Sequence, residues 1–598
     1  MGSIDRRPYE QSGRALTQAL LDECAGNLTA KLEMICTIVD VGTDLVSFYL
    51  SDRAKYVYFS SIDETRFYQP RVTFPQINRT LGDFLSNTVE LSSLQVTINN
   101  ADQYFNTVLP GGDLYNGFIN KIMVVEVGIG EDAANYHTIF MGQITKVGGF
   151  SRDYKSFQLT AKNKFEILNV NFPNQYFLNS EFAWLDDDLE GTAIPVIFGD
   201  WTVNLRRNAP CVPGTVVNGK NPLVNKSVVD IDGNPDVNVG TERVQVIVSI
   251  NPLSILNTSK VTLVRSDQYY VFDSDDIEII SGLDNRGVFI TQNILQVGDP
   301  DNLEPWIYED GDQFFFEVKG TSFDSPINIG NPVMQAKKLL MVYAELAEID
   351  FDTSWATYIT KIATKGWMSR CWIQDQQPLF EYILSLLEQV RLEVYVNNDN
   401  KLAITSLWME DFIPAPSFKL TNFDIIRGTL KPILEDRNVF NSAKAEYVFD
   451  PSITQNRFST AQYSNETAVT QMGSKIAKLI VFPNLYEESH VLDNLTEILR
   501  LIPYVEYIEC SVTPRSLLLE LGQNIGLNIN VGGFNLVDKF GVLYNDMVTG
   551  IVRSLGFDPK GMSIPIKVWM LQMVAFPYSV KIDVAGKIAG YNIAITKD

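Results

Sequence analysis

The chain has 598 residues and a formal net charge of -24, because 72 acidic residues stand against 48 basic ones. This charge argues against a large phosphate-binding surface, and it excludes sequence-independent nucleic-acid binding as a main activity. With 45% hydrophobic and 11% aromatic residues, the composition is that of an ordinary folded protein, and the length predicts roughly three to five domains.

The cysteines and the N-terminus bear on the folding environment. Five cysteines lie far apart and form no Cys-x-x-Cys motif, so we predict neither a disulfide framework nor a zinc site: Cys24, Cys36, Cys211, Cys371 and Cys510. Arg6 and Arg7 are not followed by an apolar stretch, and no segment approaches about 18 consecutive apolar residues. We therefore expect a soluble protein with no membrane segment, folded in a reducing environment and not exported by a cleaved signal.

The chain begins with a predicted helix and continues with short strands. Ser12 is a suitable cap for a helix that ends near Cys24, which gives an N-terminal helical segment over residues 1–30. From 31 to 178 the pattern is β, and the alternation of Leu94, Val96 and Ile98 with polar residues is typical of a half-buried antiparallel strand. We interpret this region as a first β-barrel-type domain.

The middle of the chain divides into two further regions. Residues 179–330 open with an acidic loop and are rich in Val, Asn and Gly, which predicts a β-rich inserted domain. Asn331 followed by Pro332 is a typical helix start, and the pattern predicts three helices in succession. Two alternating strands around a turn at 397–400 then complete a small α/β helix-hairpin module over 331–412.

The last third, 413–598, again has the pattern of strands, interrupted by one helix from about Ser489 to Ile502. The fold class predicted from the whole chain is mainly β with α+β parts. It comprises two β-barrel-type domains, a β-rich insertion and the small α/β module. No repeat of about 20–50 residues is evident, which disfavours propellers and solenoids.

The sequence contains no recognisable catalytic motif. The two histidines, His137 and His490, are interpreted as structural, and no Gly-x-Ser-x-Gly motif, phosphate-binding loop or His-Glu-x-x-His helix is present. We therefore predict no enzymatic activity, no catalytic residue, no cofactor and no metal site. Acidic loops, among them the one at Glu309, Asp310 and Asp312, are expected to be solvated.

Three patterns have a functional alternative beside the structural one. The segment from Asp230 to Asp236 has oxygen ligands at alternate positions, but it lacks the Gly and Glu of an EF-hand, which favours a plain acidic turn. The aromatic runs at 269–270 and 314–316 are typical of core positions, with a sugar-binding platform as the alternative. A pair of carboxylates suited to glycoside hydrolysis stays open as well, because acidic residues are so numerous.

Taken in order, the elements resemble the tail-hub, or baseplate-hub, proteins of bacteriophages, in particular siphophage tail-tip hubs. The resemblance rests on the order of motifs over several hundred residues. These are the strand and polar turn from Ile98 to Phe105, Phe140-Met-Gly142-Gln-Ile144, the strand from Phe157 that leads to a short helix, Pro195-Val-Ile-Phe-Gly199, the helix-hairpin module, the region from Asn438 to Tyr447, and Gly550-Ile-Val-Arg553. One departure is Gly522-Gln523, where many relatives have Gly-Asp.

The resemblance implies a structural virion protein at the tail tip or baseplate, assembled in the host cytoplasm. Three copies would form a ring as a homotrimer. The implied partners are the distal tail protein ring, the tape-measure protein, and tail fibres or a central spike. DNA would pass through during ejection without specific binding, and the hub would connect host attachment to opening of the channel. An acidic channel lining would repel DNA phosphates, which is a hypothesis that the charge suggests.

Two other classes of function stay open from the sequence. One is a carbohydrate-binding or carbohydrate-degrading tail or receptor-binding protein, in which Trp306, Tyr308 and acidic residues of the 179–330 region line a sugar cleft. The other is a surface adhesin, which the unpaired cysteines and the expected lack of a signal peptide disfavour.

Overall fold

A computed structural model provides the structure of the protein. It describes residues 33–39, 48–81, 93–163, 165, 170–182, 185, 187–206, 209–221, 243–249, 253–254, 261–265, 268–272, 277–279, 287–291, 295–296, 303–304, 311–408, 418–421, 424–433, 439–455, 457–502, 505–517, 519–527 and 548–571. Among these residues strands clearly outnumber helices, which confirms the mainly β class.

The N-terminal region forms a nine-stranded, largely antiparallel sheet. The first ten strands described are Glu33–Val39 (β1), Phe48–Ser51 (β2), Lys55–Phe59 (β3), Glu64–Pro70 (β4), Val72–Thr73 (β5), Ile77–Thr80 (β6), Ser93–Asn99 (β7), Ile122–Gly128 (β8), Tyr136–Gly148 (β9) and Ser156–Lys162 (β10). All of them except β6 belong to this sheet. The spatial order is β3-β4-β2-β1-β8-β9-β10-β7-β5, so β3 ends the sheet.

Strand β7 confirms the predicted alternation, since Leu94, Val96 and Ile98 are buried between more exposed polar residues. Strand β4 was not predicted, because Glu64 to Arg66 are polar and Tyr68 is the one fully buried side chain of the strand. Two short helices after β7 were not predicted either, Tyr104–Val108 (α1) and Leu114–Phe118 (α2). Asp113 caps the second of these by accepting from the backbone N–H groups of Tyr115 and Asn116.

The 179–330 region and the residues just before it contribute further strands. They are Asn171–Phe172 (β11), Val196–Asp200 (β12), Val212–Asn221 (β13), Arg243–Ile247 (β14), Leu253–Ser254 (β15), Val261–Arg265 (β16), Gln268–Phe272 (β17), Ile277–Ile279 (β18), Gly287–Thr291 (β19), Leu295–Gln296 (β20), Leu303–Glu304 (β21), Gln313–Phe316 (β22), Lys319–Ser322 (β23) and Ser325–Asn328 (β24). Seven of them form an antiparallel sheet in the order β17-β16-β22-β13-β14-β19-β18.

This insertion has its own hydrophobic core, here called the insert core, which contains Trp201, Val212, Leu263, Phe314 and Phe316. Phe314, Phe315 and Phe316 are all buried, so the core interpretation of this aromatic run is confirmed.

The expectation that the loop at Asp312 is solvated was wrong for this residue. Its side chain is 1% exposed and accepts two hydrogen bonds from Arg265, at 2.7 and 2.6 Å. A buried carboxylate needs such a paired cation, and the pairing partner is 47 residues away in the sequence.

The next region contains three of the helices in the described part of the chain. Its elements are Pro332–Tyr343 (α3), Ser354–Lys365 (α4), Cys371–Ile373 (β25), Gln377–Pro378 (β26), Leu379–Glu388 (α5), Leu392–Val396 (β27) and Leu402–Ser406 (β28). The predicted start of α3 is confirmed, because the Asn331 side chain accepts from the backbone N–H groups of Val333 and Met334. Gly366 ends α4 with a left-handed φ of 72°, which glycine adopts without strain.

The last third of the chain forms two separate sheets. Its elements are Phe418–Leu420 (β29), Lys431–Ile433 (β30), Ser442–Tyr447 (β31), Ser459–Ser464 (β32), Glu466–Met472 (α6), Ala477–Phe482 (β33), Glu488–Leu501 (α7), Val505–Val512 (β34), Asn524–Leu527 (β35), Val548–Phe557 (β36) and Ile564–Leu571 (β37). Short 3-10 helices lie at Pro110–Gly112, Ala133–Asn135, Glu348–Asp350 and Pro514–Ser516. The predicted helix near Ser489–Ile502 is α7.

One sheet of the last third joins the N-terminal region. Its order is β29-β35-β36-β37-β34-β30, and β6 adds to it by pairing with β36, with Ile77 opposite Phe557. Buried apolar residues from 34–161 and from 420–570 form one continuous cluster, here called the sheet core. Two segments from opposite ends of the chain therefore build a single hydrophobic core.

The other sheet of the last third, β32-β31-β33, belongs to a second body. Helices α3, α4, α5 and α7 pack with it and with the β27–β28 hairpin around buried residues drawn mainly from 165–198, 329–408 and 440–502, here called the helix–sheet core. Its largest fully buried side chains are Trp355, Trp367 and Trp408. The expected helix at 12–24, the turn at Asp230–Asp236, and Trp306 and Tyr308 lie outside the described residues.

Candidate assembly surfaces

Among the described residues, the two histidines lie in different parts of the fold. His137 lies in β9, where burial, with a smaller effect of Arg79, lowers its pKa to about 4. His490 lies in α7, with its Nε2 atom 3.1 Å from the carboxylate of Glu487. One histidine thus lies in the nine-stranded sheet and the other in a helix of the helix–sheet core.

The cysteines in the described part of the chain are all buried: Cys36, Cys211, Cys371 and Cys510. Burial raises the pKa of both Cys371 and Cys510 to about 12, so their thiols stay protonated and weakly nucleophilic. Within the described ranges, no group of three or more His, Cys, Asp and Glu side chains is arranged to hold a metal ion. No helix in that same part of the chain is long and apolar enough to cross a membrane.

Exposed apolar side chains tell more about possible partners than the histidines and cysteines do. A hairpin of β3 and β4, here called the aromatic hairpin, ends the nine-stranded sheet. Tyr56 and Phe67 are paired across it, are 58% and 43% exposed, and place their ring centroids 4.9 Å apart. Tyr58 is exposed as well. Apolar rings that remain in water on a terminal hairpin are typical of a surface that another protein covers.

The hairpin's opposite side explains why these rings point outwards. Val57 and Tyr68 are buried there in a small separate cluster, and Tyr68 shares a hydrogen bond of 3.0 Å with Thr37. Arg66 lies over the rings of Tyr49 and Phe59, at 4.8–4.9 Å, and so fills that side as well. Because side chains alternate along a strand, filling one face with these residues leaves the other aromatic residues in solvent.

A second exposed apolar surface lies on the sheet β32-β31-β33. Strand β33 is at its edge and pairs in parallel with β31. Leu479 and Val481 are 53% and 44% exposed on the outer face, while Ile480 and Phe482 are buried beneath them. Lys475 precedes this strand and is exposed, whereas Lys478 lies within it on the inner face, 5.3 Å from the centroid of the Phe440 ring. We call β33 together with residues 473–476 the basic edge strand.

A polar junction connects the sheet core with the helix–sheet core. Arg553 of β36 forms a two-pronged ion pair with Glu393 of β27, one of its contacts being a hydrogen bond of 2.8 Å, and its guanidinium lies 4.3 Å from the Trp569 ring centroid. Arg79 also donates to Asn398 across this boundary, at 2.6 Å. The junction adds buried charges to the apolar contacts between the two cores, because Ile551 and Trp569 of this sheet also pack in the helix–sheet core.

A second junction connects the insert core with the helix–sheet core. Arg370 is 2% exposed, and its guanidinium lies between the rings of Trp201 and Tyr486, at 4.5 and 5.0 Å from their centroids. It also donates to the backbone carbonyl of Val203 at 2.9 Å. Arginine suits this position, because the faces of its planar guanidinium can contact two aromatic rings while its N–H groups donate hydrogen bonds in the plane of the guanidinium.

Neither exposed surface is evident from the sequence. In β33 the run Leu479-Ile480-Val481-Phe482 is apolar at every position, a pattern that also fits a strand buried on both faces. In β3 the succession Tyr56-Val57-Tyr58-Phe59 has the same ambiguity. The position of each strand at the end of its sheet is decided by tertiary structure.

No protein-family model and no curated protein matches the chain. Among solved structures, the chain is similar to a component of the virion of a native gene transfer agent particle, at 10% identity and a TM-score of 0.36, over 64% of this chain and 85% of that one. It is also similar to the 43 kDa tail protein of prophage MuSo2 from Shewanella oneidensis, at 10% identity and a TM-score of 0.35, over 90% and 96% of the two chains.

A third similarity is to the Francisella PdpA–VgrG complex, at 10% identity and a TM-score of 0.31, over 90% of this chain and 52% of that one. These solved structures are a virion component, a prophage tail protein and a VgrG complex. At such low TM-scores, their similarity carries no argument about the function of this chain.

Proposed function

We propose that this chain is a structural virion protein that forms the homotrimeric hub of a phage tail tip or baseplate. In this role it connects the tail tube and the distal tail protein ring to tail fibres or a central spike, contacts the tape-measure protein, and surrounds the channel through which DNA leaves. It assembles in the host cytoplasm and has no catalytic function. The carbohydrate-binding alternative gains no support from the run Phe314 to Phe316, which is buried.

The observation that carries the proposal is the joining of the two β regions. The resemblance to tail hubs implies two similar β domains in each copy, which together make a six-part ring from three copies. In this structure the N-terminal sheet and the sheet of β34 to β37 share the sheet core, and β6 pairs directly with β36. Two β regions held this closely are suited to act as one rigid ring segment.

Two of the motifs that carry the resemblance lie within strands of the structure. The stretch Phe140 to Ile144 lies within β9, and Gly550 to Arg553 lies within β36. Gly142 has no room for a side chain, because an added Cβ would lie 2.5 Å from the Lys162 carbonyl oxygen. The glycine of the Phe-x-Gly-x-Ile motif thus has a packing role between β9 and β10.

The charge of the chain is suited to the passage of DNA. Three copies together would carry a formal charge of three times -24, and acidic side chains towards the channel would keep DNA phosphates from binding. This part of the proposal predicts that acidic residues outnumber basic ones along the channel of the assembled ring.

The test combines two measurements. Light scattering of the purified full-length chain over a concentration series is expected to give three times the 67.3 kDa of one copy, and negative-stain imaging is expected to give rings with a central opening. Gold-labelled antibodies against the chain are expected to bind at one end of the tail in particles from the producing strain, with particles from a deletion strain as the control. Labelling of another part of the particle, or of none, would overturn the proposal.

A further inference from the structure

We draw no further inference here: the strongest candidate, the exposed apolar surface of the basic edge strand at Leu479 and Val481, carries no proposal because nothing in the structure shows what covers it.

Discussion

The sheet core and the helix–sheet core draw their residues from the chain in different ways. The sheet core combines residues 34–161 with residues 420–570, so its two halves meet only after most of the chain has been synthesised. The helix–sheet core is built mainly within 329–502, where helices and hairpins contact near neighbours in sequence. Closing a long loop costs conformational entropy before any contact forms, so we expect the helix–sheet core to form first.

The two cores are connected through a polar junction. Two hydrogen-bonded pairs cross the boundary between the cores, Arg553 with Glu393 and Arg79 with Asn398. Buried ion pairs demand a particular geometry, and breaking one leaves an uncompensated charge. The junction thus specifies the orientation of the two cores, while apolar burial within each core supplies most of the stability.

The largest effect is expected from Trp408→Ala in the helix–sheet core. Trp408 is fully buried, donates from Nε1 to the Val390 carbonyl at 3.0 Å, and contacts the rings of Tyr358 and Trp367. We expect a loss of about 4 kcal/mol in the free energy of unfolding, measured by urea denaturation followed through helical circular dichroism.

Phe118→Ala is the matched substitution in the sheet core, where Phe118 is fully buried among other phenylalanine rings. It is expected to cost about 3–4 kcal/mol but to affect the helical signal less than Trp408→Ala does. If the two variants lower the helical transition equally, the two cores unfold as one cooperative unit, which would contradict the expected difference between them.

The next effect is expected at the junction, from Arg553→Met. The side chains of Arg553 and Glu393 are 3% and 15% exposed, so the substitution leaves a largely buried carboxylate without its cation. Glu388 lies close by, and its pKa is raised to about 7 by burial and by the charge of Glu393. We expect a loss of about 3 kcal/mol in the free energy of unfolding by urea.

The control for this junction is the double variant Arg553→Met with Glu393→Gln. Removing both charges is expected to cost clearly less than the sum of the two single substitutions, because no unpaired charge remains. Strictly additive costs would show that the two side chains do not interact.

A smaller, pH-dependent effect is expected from His137 in β9 of the nine-stranded sheet. Burial lowers its pKa from 6.5 to about 4, so between these values the unfolded chain binds a proton that the folded chain does not. Stability therefore falls as the pH falls through this window, by about 2 kcal/mol between pH 7 and pH 5. His137→Gln is expected to lose this part of the pH dependence in urea titrations, and an unchanged slope would contradict the assignment.

The smallest effect is expected from Asn331→Ala at the start of α3. Its side-chain oxygen caps the helix, and its Nδ2 atom donates to the Ile359 carbonyl of α4 at 2.9 Å. Loss of the cap is expected to cost about 1 kcal/mol in thermal or urea unfolding. Asn331→Ser retains the cap but not the contact with α4, so it is expected to recover part of the loss.

The sequence alone determined local structure where short-range physics decides it. The Asn331-Pro332 start of α3 and the alternation of Leu94, Val96 and Ile98 were both predicted, because helix capping and strand periodicity depend on adjacent residues. The mainly β class followed from the same patterns. Strand β4 was missed because its residues are largely polar.

Tertiary structure decided which segments meet and which surfaces stay exposed. The pairing of β6 with β36, and the burial of Asp312 against Arg265, join residues far apart in sequence, and no local pattern indicates such contacts. The same holds for Leu479 and Val481, whose apolar run fits a buried strand equally well until the order of strands places it at an edge. Exposure depends on what packs alongside a residue, which is a property of the whole fold.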